Sequence, residues 1–511
     1  MRNVCPHCGK IIEAGEQAFD LTEFLGDQVK RYLNSRVFKE ENEIKKYIIG
    51  METFFNRMKT EYPLVFTEND LWNMPSIEPE SSTIVKTILF RFPYAKVREH
   101  MKVFLRNDPD LEAVSQWFEA KAGLMKVMVF KLNLRKMAEG NIRFDTIADD
   151  FDATPIARTR VCPHEGCHGK LSIWAGRYEE ICMSVLGGPR VSKTTTLTAM
   201  ANVFLQGYQG IRWEGSDSDD TYADFETSCL TYYKKGLPIE ATEISKNNIP
   251  RISFRVTLGN VGHIVLTFVD LPGELNNERG ISAEMFRRYQ HFFDNVDFVW
   301  YCTDPAELVG LQVGAQEGNS ADQLGYTEGR AALRTAQICN NMNQMHGFFA
   351  QAEKVIPVAY ILGKTDSELI TPSDKQQYHL FMSRNMMNRQ RPEDALPLDL
   401  EAFHREASLV RDYMHQKNPT LVETFKHNFP ESCFFSMSAY GWNPKETKEA
   451  RTPEAYKCTF PFIWMLACKG YIPISVQVGK EQKRVFLNNC SKRLVDDILY
   501  NLYMKGNYRI I

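Results

Sequence analysis

The sequence predicts an α/β fold: a mostly parallel sheet with helices on both faces, preceded by a small ribbon built on two cysteine pairs that carries an α-helical insertion. Three observations predict it. From about residue 178 to 470, short apolar runs alternate with helical stretches, and such alternation gives a largely parallel sheet covered on both sides. Two close cysteine pairs, Cys5 with Cys8 and Cys162 with Cys167, precede that region. Between the pairs, polar and apolar residues recur at helical spacing, as in LTEFLGDQVKRYL (21–33) and VSQWFEAKAGLMKVMVFKLNLRKM (114–137).

Composition sets the bounds. The chain has 511 residues, 43% hydrophobic and 24% charged, which suits a globular protein of two to four domains. A formal net charge of −3 argues against wholesale electrostatic binding of nucleic acid. No apolar run approaches the roughly 20 residues a membrane helix needs; VIPVAYIL (355–362) has the length of a buried strand. The opening MRNVCPHCGK has no apolar signal core, so a soluble cytoplasmic protein without a membrane span is expected.

Of the 12 cysteines, the close pairs read as metal ligands, since disulfides are rare in the cytosol. VCPHCGK and VCPHEGCHGK each hold a Cys-Pro turn followed by Gly-Lys, the form of a zinc-ribbon knuckle, which aims two thiolates at one tetrahedral ion. Cys5, Cys8, Cys162 and Cys167 are the expected Zn²⁺ ligands, with His168 a substitute for Cys167, and His7 and His164 bystanders. A closed four-cysteine site is structural. It joins 1–10 to 156–176 and leaves 11–155 as the α-helical insertion, broken by NMPSIEPESS (73–82). Lys86, Arg91, Lys96, Arg98, Lys102 and Arg106 form either a solvated helix face or a patch for nucleic acid; protein partners are favoured over nucleic acid.

In the α/β region the expected strands are 181–186, 252–258, 263–271, 296–302, 355–362 and 432–438, with a helix over 282–295. The tail, 471–511, reads as a C-terminal extension: a strand pair and the helix SKRLVDDILYNLYMK (491–505).

The first strand runs into LGGPRVSKTTTL and then a helical stretch. A loop so placed turns backbone N–H groups and a helix N-terminus toward phosphates. Gly188, Pro189, Arg190, Val191, Ser192, Lys193, Thr194 and Thr195 are the candidate nucleotide-binding residues. Lys193 would reach the outer phosphates and the Thr194 hydroxyl would bind Mg²⁺; a plain Gly-rich turn is the alternative. HIVLTFVDLPGE follows, with Asp270 at a strand end to hold the metal and Gly273 to sense the terminal phosphate. AYILGKTD then offers Asp366 to a guanine ring N–H and amino group, with the Lys364 stem over the base. FFSMSAYG offers Ser438 and Ala439 as a turn that presents a backbone N–H to the guanine oxygen.

All four elements fall in sequence order at strand ends, where open α/β sheets bind ligands. On these motifs, residues 177–470 resemble a P-loop GTPase domain of the translation-factor-like (TRAFAC) class, with a phosphate loop similar to Era- and TrmE-like GTPases. The resemblance implies GTP or GDP with Mg²⁺ and slow GTP hydrolysis, assisted by a partner such as a second GTPase or an activating protein. Ser192 stands where the loop pattern has glycine, and Gly363 where the base motif has Asn or Thr. The motifs are also far apart, with insertions near 207–250 and 367–431. Thr242 is the candidate switch threonine for Mg²⁺, ahead of Thr221 and Thr227. Glu274 sits where many GTPases orient water, and Arg190 is an internal charge in the loop. Ribbon, insertion and GTPase domain together resemble bacterial double-GTPase-type proteins of defence or conflict systems. Two functions follow: a hydrolysing nucleotide switch, or a non-hydrolysing nucleotide-binding scaffold whose ribbon and insertion recruit protein or nucleic acid.

Overall fold

The computed structural model describes residues 3–5, 8, 10–13, 16, 18–35, 41–75, 85–104, 109–126, 128–136, 142–148, 153–154, 160–171, 174–175, 178–187, 191–215, 220–239, 251–259, 262–270, 296–309, 328–351, 356–381, 398–430, 432–444, 451–478 and 481–486. The chain divides into two compact units, Met1–Cys5 with Lys10–Glu180, and Pro6–Gly9 with Ile181–Ile511. The expected helices over 282–295 and 491–505 lie outside the described residues.

In the first unit β1 (Asn3–Val4) pairs with β2 (Ile11–Ile12). Strands β3 (Ala18–Asp20), β4 (Val65–Thr67) and β9 (Arg160–Val161) form a three-stranded sheet with β3 central. A second sheet runs in order through β5 (Val85–Arg91), β6 (Val129–Lys136), β7 (Ile142–Ala148) and β8 (Ala153–Thr154), all antiparallel. Helices at Thr22–Ser35, Glu41–Glu61, Tyr94–Phe104 and Pro109–Ala120 accompany them. The insertion at 11–155 therefore mixes helix with sheet, where helix alone was expected. The stretch 114–137 shows why. Its first part is helical, but VFKLNLRK alternates with period two, which places Leu132 and Leu134 on one face as a strand. Both are fully buried with Phe54, Phe90 and Phe118 in one core.

In the second unit β10 (Glu179–Gly187), β11 (Ile211–Glu214), β12 (Arg251–Leu258), β13 (Gly262–Asp270), β14 (Phe298–Thr303), β15 (Val358–Leu362) and β17 (Ser432–Ser436) make a seven-stranded sheet of order β11-β12-β13-β10-β14-β15-β17. Pairs β10–β14, β14–β15 and β15–β17 are parallel, while β11–β12–β13 is an antiparallel wing. The mixed α/β architecture is thus the one expected, with β11 added at the edge. A further small sheet joins β16 (Leu398–Asp399) to the hairpin β18 (Pro473–Val478) and β19 (Glu481–Phe486), the strand pair read in the tail.

Alternation along each parallel strand feeds two cores. Phe298, Trp300 and Cys302 of β14 join Ala359, Ile361, Cys433 and Phe435 on one side, with Leu197, Met200 and Phe204 of the helix Lys193–Gln206. Val299 and Tyr301 join Val358, Tyr360 and Leu362 on the other, with Met342 of the helix Glu328–Gln351 and Leu421 and Phe425 of the helix Pro419–Asn428. Strands buried on both faces read as unbroken apolar runs for this reason. Parts of the two long insertions belong to this body: Trp213, Phe225 and Tyr233 lie in the first core, and Val410, Tyr413 and Phe425 in the second.

Candidate functional site

The carboxyl ends of β10, β14, β15 and β17 lie in register, with Gly187 opposite Cys302, Thr303 opposite Leu362, and Leu362 opposite Ser436. The residues that follow these strands are those that the motifs single out. Ligands of open α/β sheets sit at this edge.

Gly187 ends β10 at φ +141°, and a Cβ there would lie 2.3 Å from the Cys302 carbonyl oxygen and 2.9 Å from Val191 Cγ2. Only glycine fits. Gly188, Pro189 and Arg190 lie outside the described residues. Val191 is buried, and Ser192, Lys193, Thr194 and Thr195 are half-buried where the helix Lys193–Gln206 begins. Ser192 has φ +67° and ψ +27°, a left-handed conformation that glycine adopts freely and other residues at a cost. The helix starts directly on this residue, for the Ser192 carbonyl accepts the Thr196 N–H at 2.8 Å. Lys193 donates from Nζ to the Gly187 carbonyl at 3.1 Å, so the lysine folds back over the loop. The Thr194 carbonyl accepts from Thr198 Oγ1 at 2.7 Å.

Strand β13 ends at Asp270; Thr242, Gly273 and Glu274 lie outside the described residues.

After β15, the Gly363 N–H donates to the Thr303 carbonyl at 2.8 Å, and a Cβ on Gly363 would meet the Val191 carbonyl oxygen at 3.6 Å. The loop after β10 and the turn after β15 are therefore neighbours. A side chain at 363 would make ordinary contact, so glycine is not required there. Lys364 is also left-handed, at φ +50°, and donates to Asp304 Oδ2 at 3.1 Å. Asp304 is 2% exposed and caps the short helix Pro305–Leu308 through Oδ1, which accepts the Glu307 N–H at 2.9 Å. Asp366 accepts a short hydrogen bond from Ser438 Oγ, which in turn accepts the Gly441 N–H at 2.9 Å. Lys375 donates to the Asp366 carbonyl at 2.7 Å; its burial lowers the ammonium pKa against the pull of Asp366 and Glu368. Ser438 is itself pinned by a bridge to Tyr456, with N–H···O distances of 3.1 and 2.8 Å. The Ala439 carbonyl accepts from Tyr233 Oη at 2.6 Å.

The structure thus brings together Gly187, Val191–Thr195, Gly363–Asp366 and Ser438–Ala439. Sequence reasoning missed Asp304, Lys375 and Tyr233. Asp304 had a signal, since an Asp-Pro pair directly after an apolar strand is a helix N-cap followed by proline at the first helical position. Tyr233 had none, because 206 residues separate it from its acceptor.

The cysteine pairs also converge. The Sγ atoms of Cys5, Cys8, Cys162 and Cys167 all lie within 4.8 Å of one another. Four thiolates held about 2.3 Å from one tetrahedral zinc lie about 3.8 Å apart, and Cys5 and Cys167 are 3.7 Å apart. The donor set therefore fits that ion. His168 Nδ1 lies 3.2 Å from the Cys162 carbonyl oxygen, outside the four-sulfur cluster, while His164 Nδ1 lies 3.1 Å from Cys162 Sγ. Among the described residues, no helix is long and apolar enough to cross a membrane.

No protein-family model matches the chain, and no curated protein matches it. Among the solved structures to which it is similar is a signal recognition particle receptor complex, SRb-GTP/SRX, from Chaetomium thermophilum, at 13% identity and a TM-score of 0.24, covering 52% of this chain and 93% of that one. Another is the translation elongation factor SelB from Methanococcus maripaludis in complex with the GTP analogue GppNHp, at 11% identity and a TM-score of 0.17. That likeness covers 51% of this chain and 30% of the factor's.

Proposed function

We propose that the second unit binds guanine nucleotide with Mg²⁺, hydrolyses GTP slowly, and acts as a nucleotide-dependent switch on partner proteins. The observation that carries this reading is the junction of the two motifs: Lys193 folded over the loop that ends β10, with Gly363 beside Val191 and Asp366 bonded to Ser438 at the neighbouring strand ends. In this arrangement Val191–Thr195, with Gly188, Pro189 and Arg190, cradle the phosphates, and Lys193 moves its ammonium from the Gly187 carbonyl to the outer phosphates. Asp366 accepts from the guanine, Lys364 covers the base, and Ala439 donates its N–H to the guanine oxygen. Thr194, Thr242 and Asp270 hold Mg²⁺, Gly273 senses the terminal phosphate and Glu274 orients water. Cys5, Cys8, Cys162 and Cys167 hold a structural Zn²⁺. The four ordered motifs support membership of the translation-factor-like class, and the ribbon-plus-GTPase layout supports a role in bacterial defence with a second GTPase or an activating protein in the cytoplasm.

Phosphate release from GTP separates this reading from that of a non-hydrolysing scaffold. The wild-type chain should release phosphate and Lys193→Ala should fall to background. Equal release from both refutes hydrolysis at this site. Zinc content should drop by about one equivalent in the Cys5→Ser/Cys8→Ser double variant, as expected when two ligands of a four-cysteine site are lost.

A further inference from the structure

The insertion near 207–250 does more than lengthen the domain. Its described part ends in a helical stretch that contains the π-helical turn Glu226–Leu230 followed by Thr231–Lys234, and this stretch is bolted to the turn after β17. Tyr233 is 1% exposed and donates from Oη to the Ala439 carbonyl at 2.6 Å. Tyr440, the next residue of that turn, donates from Oη to the Leu237 carbonyl at 2.6 Å. The two rings lie 5.1 Å apart. Gly236, at φ +70°, approaches so closely that a Cβ would stand 1.9 Å from the Arg451 carbonyl oxygen. Two reciprocal hydroxyl-to-carbonyl bonds thus tie two segments about 200 residues apart.

We propose that Tyr233 is a positioning residue for the base: by holding the Ala439 carbonyl it fixes the orientation of the turn whose Ala439 N–H reads the guanine oxygen. The inference rests on the nucleotide reading above and adds the element that sets its base specificity. A backbone donor discriminates only when its peptide is held still, because a misaligned hydrogen bond weakens steeply. The peptide that carries the Ala439 N–H is held at its Ser438 carbonyl by the Tyr456 N–H at 2.8 Å, and Tyr233 holds the following peptide at the Ala439 carbonyl, so the turn is fixed on both sides of the Ala439 Cα. Burial raises the Tyr233 pKa far above its ordinary value, so the hydroxyl remains a donor throughout the working pH range.

The test uses the full chain, the variant Tyr233→Phe, and two nucleotides, GDP and the diphosphate of 2-aminopurine riboside, which keeps the 2-amino group but lacks the 6-oxygen and, with it, the N1–H; its weaker binding to the wild type is the baseline against which the variant is compared. Tyr233→Phe should weaken GDP binding about fivefold, the scale of one hydrogen bond, and leave binding of the 2-aminopurine nucleotide unchanged. Equal weakening for both nucleotides, or for neither, overturns the inference, since a merely structural tyrosine would not distinguish them. Tyr440→Phe cuts the second tie while leaving the Tyr233 bond in place, and should show a smaller loss with the same base dependence; a base-independent loss counts against the proposal. Failure of the wild type to bind GDP refutes the nucleotide reading itself, a result distinct from wild-type binding with an indifferent Tyr233→Phe.

Discussion

At the end of β10 the chain shapes its turn with backbone, whereas at the ends of β15 and β17 it uses side chains drawn from distant segments. The β10 end depends on Gly187 packed against the Cys302 carbonyl, on the left-handed Ser192, and on a lysine that bonds six residues back. The β15 and β17 end depends on Asp304 under Lys364, Ser438 on Asp366, and Tyr233 on Ala439, over separations of 60, 72 and 206 residues. The first is local and follows from spacing. The second exists only once the sheet is assembled.

The largest expected effect is on the local end. Gly187→Ala forces a Cβ to within 2.3 Å of the Cys302 carbonyl oxygen at a φ that side chains rarely adopt, and should cost about 3 kcal/mol. It should also abolish nucleotide binding, read as a lower thermal midpoint and loss of a fluorescent nucleotide signal. An unchanged midpoint would show that β10 and β14 can part without cost. An intermediate effect belongs to the distant end. Asp304→Asn removes the charge that holds Lys364, whose ammonium is partly solvated, and should cost about 1 kcal/mol of nucleotide affinity. Little loss of stability is expected, because the cap to Glu307 can be kept by the amide oxygen. A large loss of stability with unchanged affinity would make Asp304 a helix cap and nothing more. The smallest effect returns to the local end. Ser192→Gly relieves a left-handed residue worth about 1 kcal/mol, offset in part by the greater freedom of glycine when unfolded. The net gain should be about 0.5 kcal/mol by denaturant unfolding. A fall in stability would mean that the serine side chain makes a contact outweighing its strain.

The same division explains what could be read from the sequence. The strands β10, β13, β14, β15 and β17 were legible because burial on both faces leaves an unbroken apolar run, and β12 because its apolar residues alternate with polar ones. The edge strand β11 was not, since IRWE has only two buried positions. In the first unit, the helical pattern at 21–33 is a helix, while 114–137 hides the strand β6 behind residues that suit either periodicity until Ile88 pairs with Leu132. The placement of the candidate residues was legible where it follows from local spacing, as in Val191–Thr195, Gly363–Asp366 and the cysteine pairs, which the fold gathers. Lys375 and Tyr233 were not legible, because nothing in their neighbours announces an acceptor contributed by another element.

The central claim is that the edge formed by Gly187, Lys193, Asp366 and Ala439 recognises guanine nucleotide, and a competition for binding tests it most directly. With a fluorescent GDP bound to the full chain in Mg²⁺, unlabelled GTP should displace the probe at concentrations at least about a hundredfold below those needed for ATP, the discrimination expected when a site built to hydrogen-bond a base meets one lacking the partners. The Lys193→Ala chain should fail to retain the probe. Equal displacement by ATP and GTP, or retention by Lys193→Ala as tight as by the wild type, would contradict it.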